Sequence, residues 1–220
     1  MVFIDHEQPT QRQLWTDGHE AGHALCAWHA PILRLDNEDT LFKCMHPGIE
    51  AEANYSAGYL IFQGRRFHRE ALKDQISMRT PLALCHQYGA SRHATLRYYV
   101  EQHPYAVALL ITGRYVDPDG TIPIWNSIES TEFERRFGRL QDRLPGKTLR
   151  IADGPDAPLA DILLASRSSI DPPSKAVRIP DRDGTRHSFI AEAFFNQWNH
   201  FVLVAEEKST RFGRRLRLAS

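Results

Sequence analysis

Between Gln11 and Trp28, apolar and small residues return at intervals of three and four: Leu14, Gly18, Ala21, Gly22, Leu25 and Trp28. That period predicts a helix, ended by Pro31. Glycines four apart on its inner face imply that another backbone packs closely there, since each costs the helix about 1 kcal/mol. Upstream, Val2-Phe3-Ile4 reads as a strand, and residues 31–48 as irregular loop closed by Pro47-Gly48. IEAEANYSAGYLIF, from Ile49 to Phe62, predicts a second helix, with Gly64 marking its end. A third is predicted from Arg66 to Ile76. From Thr80 to Gln102 the pattern gives two short helices about a turn, with Gly89 in the turn and Ser91 as N-cap.

After His103-Pro104 the pattern changes. VALLITGRYV, TIPIW, KTLRI, KAVRI, RHSFIAEAFFN and HFVLVAE have the β-branched and aromatic content of strands. Asp183-Gly184 is a turn joining two of them. Ser130 to Leu144 is an amphipathic helix, and Leu159 to Ala165 suits helix or strand. The fold class expected is α+β: a mainly helical part, a helix-turn-helix-like segment, then a mixed sheet with helices.

Composition narrows the function. Lys plus Arg and Asp plus Glu both number 27 in 220 residues, so no net field draws the chain to nucleic acid or a membrane surface. The helix-turn-helix spacing is therefore read as packing, and direct DNA binding is not expected. The basic tail KSTRFGRRLRLAS is read as a solvated end. Cysteines 26, 44 and 85 are odd in number and far apart, which suits a reducing cytoplasm. The N-terminus lacks a signal-peptide pattern, and no apolar run approaches ~20 residues, so no membrane location is expected. Cys44 and His46 lie close enough to share a metal, but no second pair supports them.

The chemistry concentrates in His19-Glu20-Ala21-Gly22-His23. Four residues apart on a helix, His19 and His23 point the same way and can offer nitrogens to one zinc ion. Glu20 sits beside them, placed to take the proton of an attacking water rather than to bind metal. In a chain with eleven histidines such a pair also arises on an ordinary polar helix face. A third ligand separates the two readings. Glu50 and Asn54 share a face of the second helix. Glu50 can complete a His₂Glu set, and Asn54 can hydrogen-bond the far nitrogen of a ligand histidine and fix its tautomer. Glu52 falls on another face and is expected to be solvated.

HEAGHAL, then ExxAN 27 residues beyond its second histidine, then YSAGYLIF, resembles the ImmA/IrrE family of zinc metallopeptidases. RQLWTDGHE resembles the family's lead-in to the motif. Ser56 stands where the family has Phe, and Asp17-Gly18 where it has an apolar residue and Ala. The resemblance implies one Zn²⁺ per chain on His19, His23 and Glu50, with Glu20 as general base and Asn54 supporting a ligand. Tyr55, Tyr59, His46 and His68 are candidate oxyanion donors. It implies an N-terminally short zincin-like peptidase domain over 1–78, a helix-turn-helix-like segment over 79–104, and a GAF-like sensor domain over 105–220 by analogy of layout. The implied activity is endopeptidase cleavage of an XRE-type helix-turn-helix repressor, switching on stress-response or mobile-element genes, and the implied partners include a small-molecule signal at the C-terminal domain. A ligand-sensing or DNA-binding regulator with a structural or vestigial zinc site is the alternative.

Overall fold

The computed structural model describes residues 8–30, 47–143, 147–150 and 157–207. The expected strand at Val2–Ile4, the 31–46 loop with Cys44 and His46, and the basic tail from Lys208 lie outside them. The chain divides into two compact units, one made of residues up to 69 with 84–95, the other of 70–83 with everything from 96 onward.

The first unit is built on two helices, α1 (Thr10–Leu25) and α2 (Pro47–Ile61). The glycines do what the periodicity implies. A Cβ on Gly22 would stand 2.8 Å from the Ala53 carbonyl oxygen and 3.1 Å from its Cα; one on Gly18 would meet Ala57 and Ile61. Ala53 and Ala57, fully buried, answer from α2. The first helix ends earlier than its pattern. Cys26 leaves helical geometry at φ −89°, ψ 90°, and a turn closed by His29 N–H on the Cys26 carbonyl carries the chain on. Helix α2 stops at Gln63 and Gly64, both at positive φ, and α3 (Arg65–Ala71) follows. It is shorter than the helix expected to Ile76. Phe62 and Phe67 close the core with Tyr88, ring centroids 4.9 to 6.0 Å apart.

The two helices about a turn are α4 (Arg79–Tyr88) and α5 (Arg92–Glu101). Gly89 takes φ +63°, and the Ser91 hydroxyl accepts from the Ala94 N–H at 3.1 Å. Residues of both helices are shared between the two units.

The second unit carries six strands: β1 (Val107–Thr112), β2 (Thr121–Glu129), β3 (Thr148–Arg150), β4 (Ser174–Pro180), β5 (Arg186–Phe195) and β6 (His200–Glu206). Their order is β3-β2-β1-β6-β5-β4. The sheet is not mixed as expected: every pairing is antiparallel. For β4–β5 and β5–β6 the reason is loop length. Asp181 to Thr185 and Asn196 to Asn199 are too short for the crossover that parallel strands need. Asp181 caps the first turn, accepting from the Asp183 and Thr185 N–H groups at 2.9 Å. Asn196 does the same in the second, accepting from Trp198 and Asn199.

Central β1 and β6 are buried along both faces, while β4 and β5 alternate. One face of the sheet packs against α6 (Thr131–Phe137) and α7 (Ala157–Ala165), with Phe133, Phe137, Leu159 and Leu163 meeting Leu110, Val202, Phe189 and Val177. On β5, Glu192 alternates with the buried Ala191 and Ala193 and accepts the Met78 N–H at 2.7 Å. The helix expected over 130–144 is broken: Gly138 at φ +77° ends α6, and a 3-10 turn follows at Gln141–Arg143. No helix among the described residues is long and apolar enough to cross a membrane.

Candidate metal centre

The α1–α2 pair of the first unit sets the site. Because α1 keeps 3.6-residue periodicity through the HEAGH stretch, His19 and His23 stack edge-to-face, centroids 4.7 Å apart, and their Nε2 atoms approach to 3.1 Å. Close packing at Gly22 brings the start of α2 against them. Glu50 then reaches both rings, one carboxylate oxygen 3.2 Å from His19 Nε2 and the other 3.4 Å from His23 Nε2. Asn54, one turn along α2, places its Oδ1 3.2 Å from His19 Nδ1. Glu20, between the histidines in sequence, is half-buried.

Proton positions follow. A neutral imidazole carries one N–H. If His19 donates its own through Nδ1 to the Asn54 oxygen, its Nε2 presents a bare lone pair. Two ring nitrogens and a carboxylate, all electron-rich, converge within hydrogen-bonding distances of one another. His19, His23 and Glu50 offer one ligand atom each within 4.8 Å. Two imidazoles and a carboxylate are a donor set that could hold a divalent cation such as zinc. Burial, reinforced by the neighbouring His19 and His29, holds His23 below the ordinary imidazole pKa against the pull of Glu50 and Glu20. The ring is thereby biased to the neutral form that a cation requires.

A second cluster adjoins the first, unanticipated from the sequence. Beyond the Cys26 turn, Trp28 and His29 swing onto α2. The His29 Nε2 lies 3.0 Å from a Glu52 carboxylate oxygen, and the Trp28 indole N–H donates to the same oxygen at 2.7 Å. His29 is fully buried, and its Nδ1 sits 2.9 Å from His23 Nδ1. Glu52 is thus not simply solvated: the hydrogen bonds from His29 and Trp28 hold its carboxyl below the usual range. Cys26, His29 and Glu52 form a second grouping with ligand atoms within 4.8 Å. The signal was present as His29, six residues past His23, but helical periodicity carried through residue 28 pointed its ring elsewhere. Of the other candidates, Tyr55 lines a shallow hollow with Cys26, Trp28 and Glu52, and the Tyr59 ring lies over Gly64. His68 is half-buried on α3. His46 falls outside the described residues.

Comparison with known proteins places this site within a family match. The family model described as Peptidase_M78, IrrE N-terminal-like domain, matches residues 1–98. No curated protein matches significantly. Among solved structures, a chain described as a Mycobacterium tuberculosis transcriptional regulator is similar at a TM-score of 0.51 and 16% identity. The alignment covers 92% of this chain and 58% of that one, so this chain spans less than two thirds of its length. At that identity the likeness is one of fold. Within residues 1–98, which are similar to the IrrE N-terminal-like peptidase family, lie His19, Glu20, His23, Glu50 and Asn54, the residues that the resemblance singles out.

Proposed function

We propose that the chain is a zinc-dependent endopeptidase acting on a protein substrate, an XRE-type helix-turn-helix repressor, to switch on stress-response or mobile-element genes. The observation that carries this reading is the convergence of His19 Nε2, His23 Nε2 and the Glu50 carboxylate from two helices, with Glu20 beside them. Those three residues would hold one Zn²⁺, whose chemistry there is Lewis acidity toward a carbonyl oxygen and a water molecule. Glu20 takes the proton of the attacking water and returns it to the leaving amine. Asn54 keeps His19 in the tautomer that exposes Nε2. A donor from Tyr55, Tyr59 or His46 stabilises the oxyanion. In this reading the first unit is zincin-like, and the antiparallel sheet unit is a GAF-like sensor for a small molecule that gates the peptidase in the cytoplasm.

The test is metal content followed by cleavage. The protein binds about one zinc per chain, lost in Glu50→Gln and His23→Ala. Glu20→Gln keeps the zinc and loses cleavage of an XRE-type repressor by at least about 100-fold. A chain that binds no zinc, or an unchanged rate in Glu20→Gln, overturns the proposal.

A second reading draws on the solved structure described as a transcriptional regulator, which aligns with 92% of this chain. In it the sheet unit senses a ligand and the zinc site is structural. It predicts zinc binding without proteolysis of any repressor.

A further inference from the structure

Behind His23 the structure places a chain of polar groups that neither the family match nor the HExxH pattern assigns. We propose that His29 and Glu52 are positioning residues for the metal site: Glu52 accepts from His29 Nε2–H, His29 Nδ1 accepts from His23 Nδ1–H, and His23 is thereby fixed with its Nε2 lone pair toward His19 and Glu50. The inference rests on reading His19, His23 and Glu50 as a cation site.

The direction follows from counting protons. An ionised carboxylate only accepts, so the 3.0 Å contact between Glu52 and His29 Nε2 requires the proton on that nitrogen. His29 is fully buried, where an imidazole is held in its neutral form, and a neutral His29 with its proton on Nε2 has a bare Nδ1. Nδ1 of His23 lies 2.9 Å away, and one proton must occupy the space between the two nitrogens. It belongs to His23. With its single proton on Nδ1, His23 leaves Nε2 bare, 3.4 Å from one Glu50 oxygen and 3.1 Å from His19 Nε2. Trp28 anchors the far end, since its indole N–H donates to the same Glu52 oxygen at 2.7 Å. His19 reaches the same state through Asn54. Each ligand ring therefore has its own anchor on α2, and Glu50, Glu52 and Asn54 lie within five residues of that helix.

The same count decides against a rival. Cys26, His29 and Glu52 are close enough to bind a cation of their own. His29 would then ligate through Nε2 and carry its proton on Nδ1. With zinc on His23 Nε2, two N–H groups would face each other across 2.9 Å. The two sites cannot both be filled with this hydrogen bond intact.

The test is ¹⁵N NMR of the imidazoles in the metal-free full-length protein, with zinc affinity measured by chelator competition. His23 is expected as the Nδ1–H tautomer and His29 as Nε2–H. Glu52→Ala and His29→Phe are expected to scramble the His23 tautomer and weaken zinc by about 10–100-fold, at unchanged stoichiometry. His29→Gln, whose amide oxygen still accepts from His23, and Glu52→Gln are expected to recover most of the affinity. Should His29→Phe fail to fold, the half-exposed Glu52 still supplies the test. The proposal is overturned by a His23 proton on Nε2, by zinc affinity indifferent to Glu52→Ala, or by a second zinc lost in Cys26→Ala. A wild-type protein without zinc would sink the peptidase reading, while the tautomers of the metal-free protein would still judge the anchor.

Discussion

Asn54 illustrates how far a single side chain can be read. Four residues after Glu50 on one helix, it had to share that ligand's face, and it does so 3.2 Å from His19 Nδ1. Removing the amide frees His19 to move its proton to Nε2, where it blocks ligation. Asn54→Ala is therefore expected to weaken zinc binding by about tenfold, the lower part of the range for such supports because Asn54 is exposed. Chelator competition would check it, and an affinity unchanged within twofold would remove Asn54 from the site. Glu52 shows the limit of the same arithmetic. Helical spacing separates it from Glu50 correctly, but its partners, Trp28 and His29, arrive by a turn at Cys26. Nothing in the apolar period announces that turn, because Trp28 falls on the face a longer helix would also have buried.

The helices and strands were mostly legible because their side-chain periods differ. The six strands expected after residue 104 form, as do both short helices with their Gly89 and Ser91 turn. The failures cluster at ends, at Cys26, Ala71 and Gly138, where helices stop inside apolar patterns. The α1–α2 contact yields a paired prediction. In Gly22→Ala the new Cβ would meet backbone, the Ala53 oxygen at 2.8 Å, which cannot rotate aside. Overpacking of this kind costs about 1–3 kcal/mol, against a helix-propensity gain of about 1 kcal/mol. The net expectation is a loss of up to about 2 kcal/mol in urea unfolding, with weaker zinc as Glu50 is pushed away. Gly18→Ala meets the movable end of Ile61 at 3.2 Å and should be near neutral. Equal effects of the two substitutions would show that the helices do not pack most closely at Gly22.

Across the whole molecule, acid stability should be governed in part by His200, buried at the start of β6. Its Nδ1 lies 3.1 Å from the Ser166 hydroxyl, its ring stacks on Phe195 at 4.4 Å, and the Arg167 Nε–H points at Nε2. Burial, then the Arg167 charge, push its pKa down to about 4. The unfolded chain takes up this proton near the ordinary 6.5, and the folded chain only near 4. Stability from this group is thus complete above pH 6.5 and drains as pH falls to 4, by up to about 3 kcal/mol. Thermal midpoints between pH 7 and 4 should fall less steeply in His200→Phe, which keeps the ring stack and cannot take up a proton. Parallel pH profiles for the two proteins would show that His200 does not set the slope.

The sequence alone was enough for the α+β class, most of the elements though not their ends, and the grouping of His19, His23, Glu50 and Asn54. Each of these depends on a period of two or 3.6 within one element, and such periods are local. Three features needed the chain folded. The antiparallel order β3-β2-β1-β6-β5-β4 depends on which strands neighbour each other across long sequence separations. The sharing of α4 and α5 between two units depends on contacts that no single helix pattern encodes. The His23–His29–Glu52 chain depends on one backbone turn at Cys26, which redirects two side chains onto a helix more than twenty residues away.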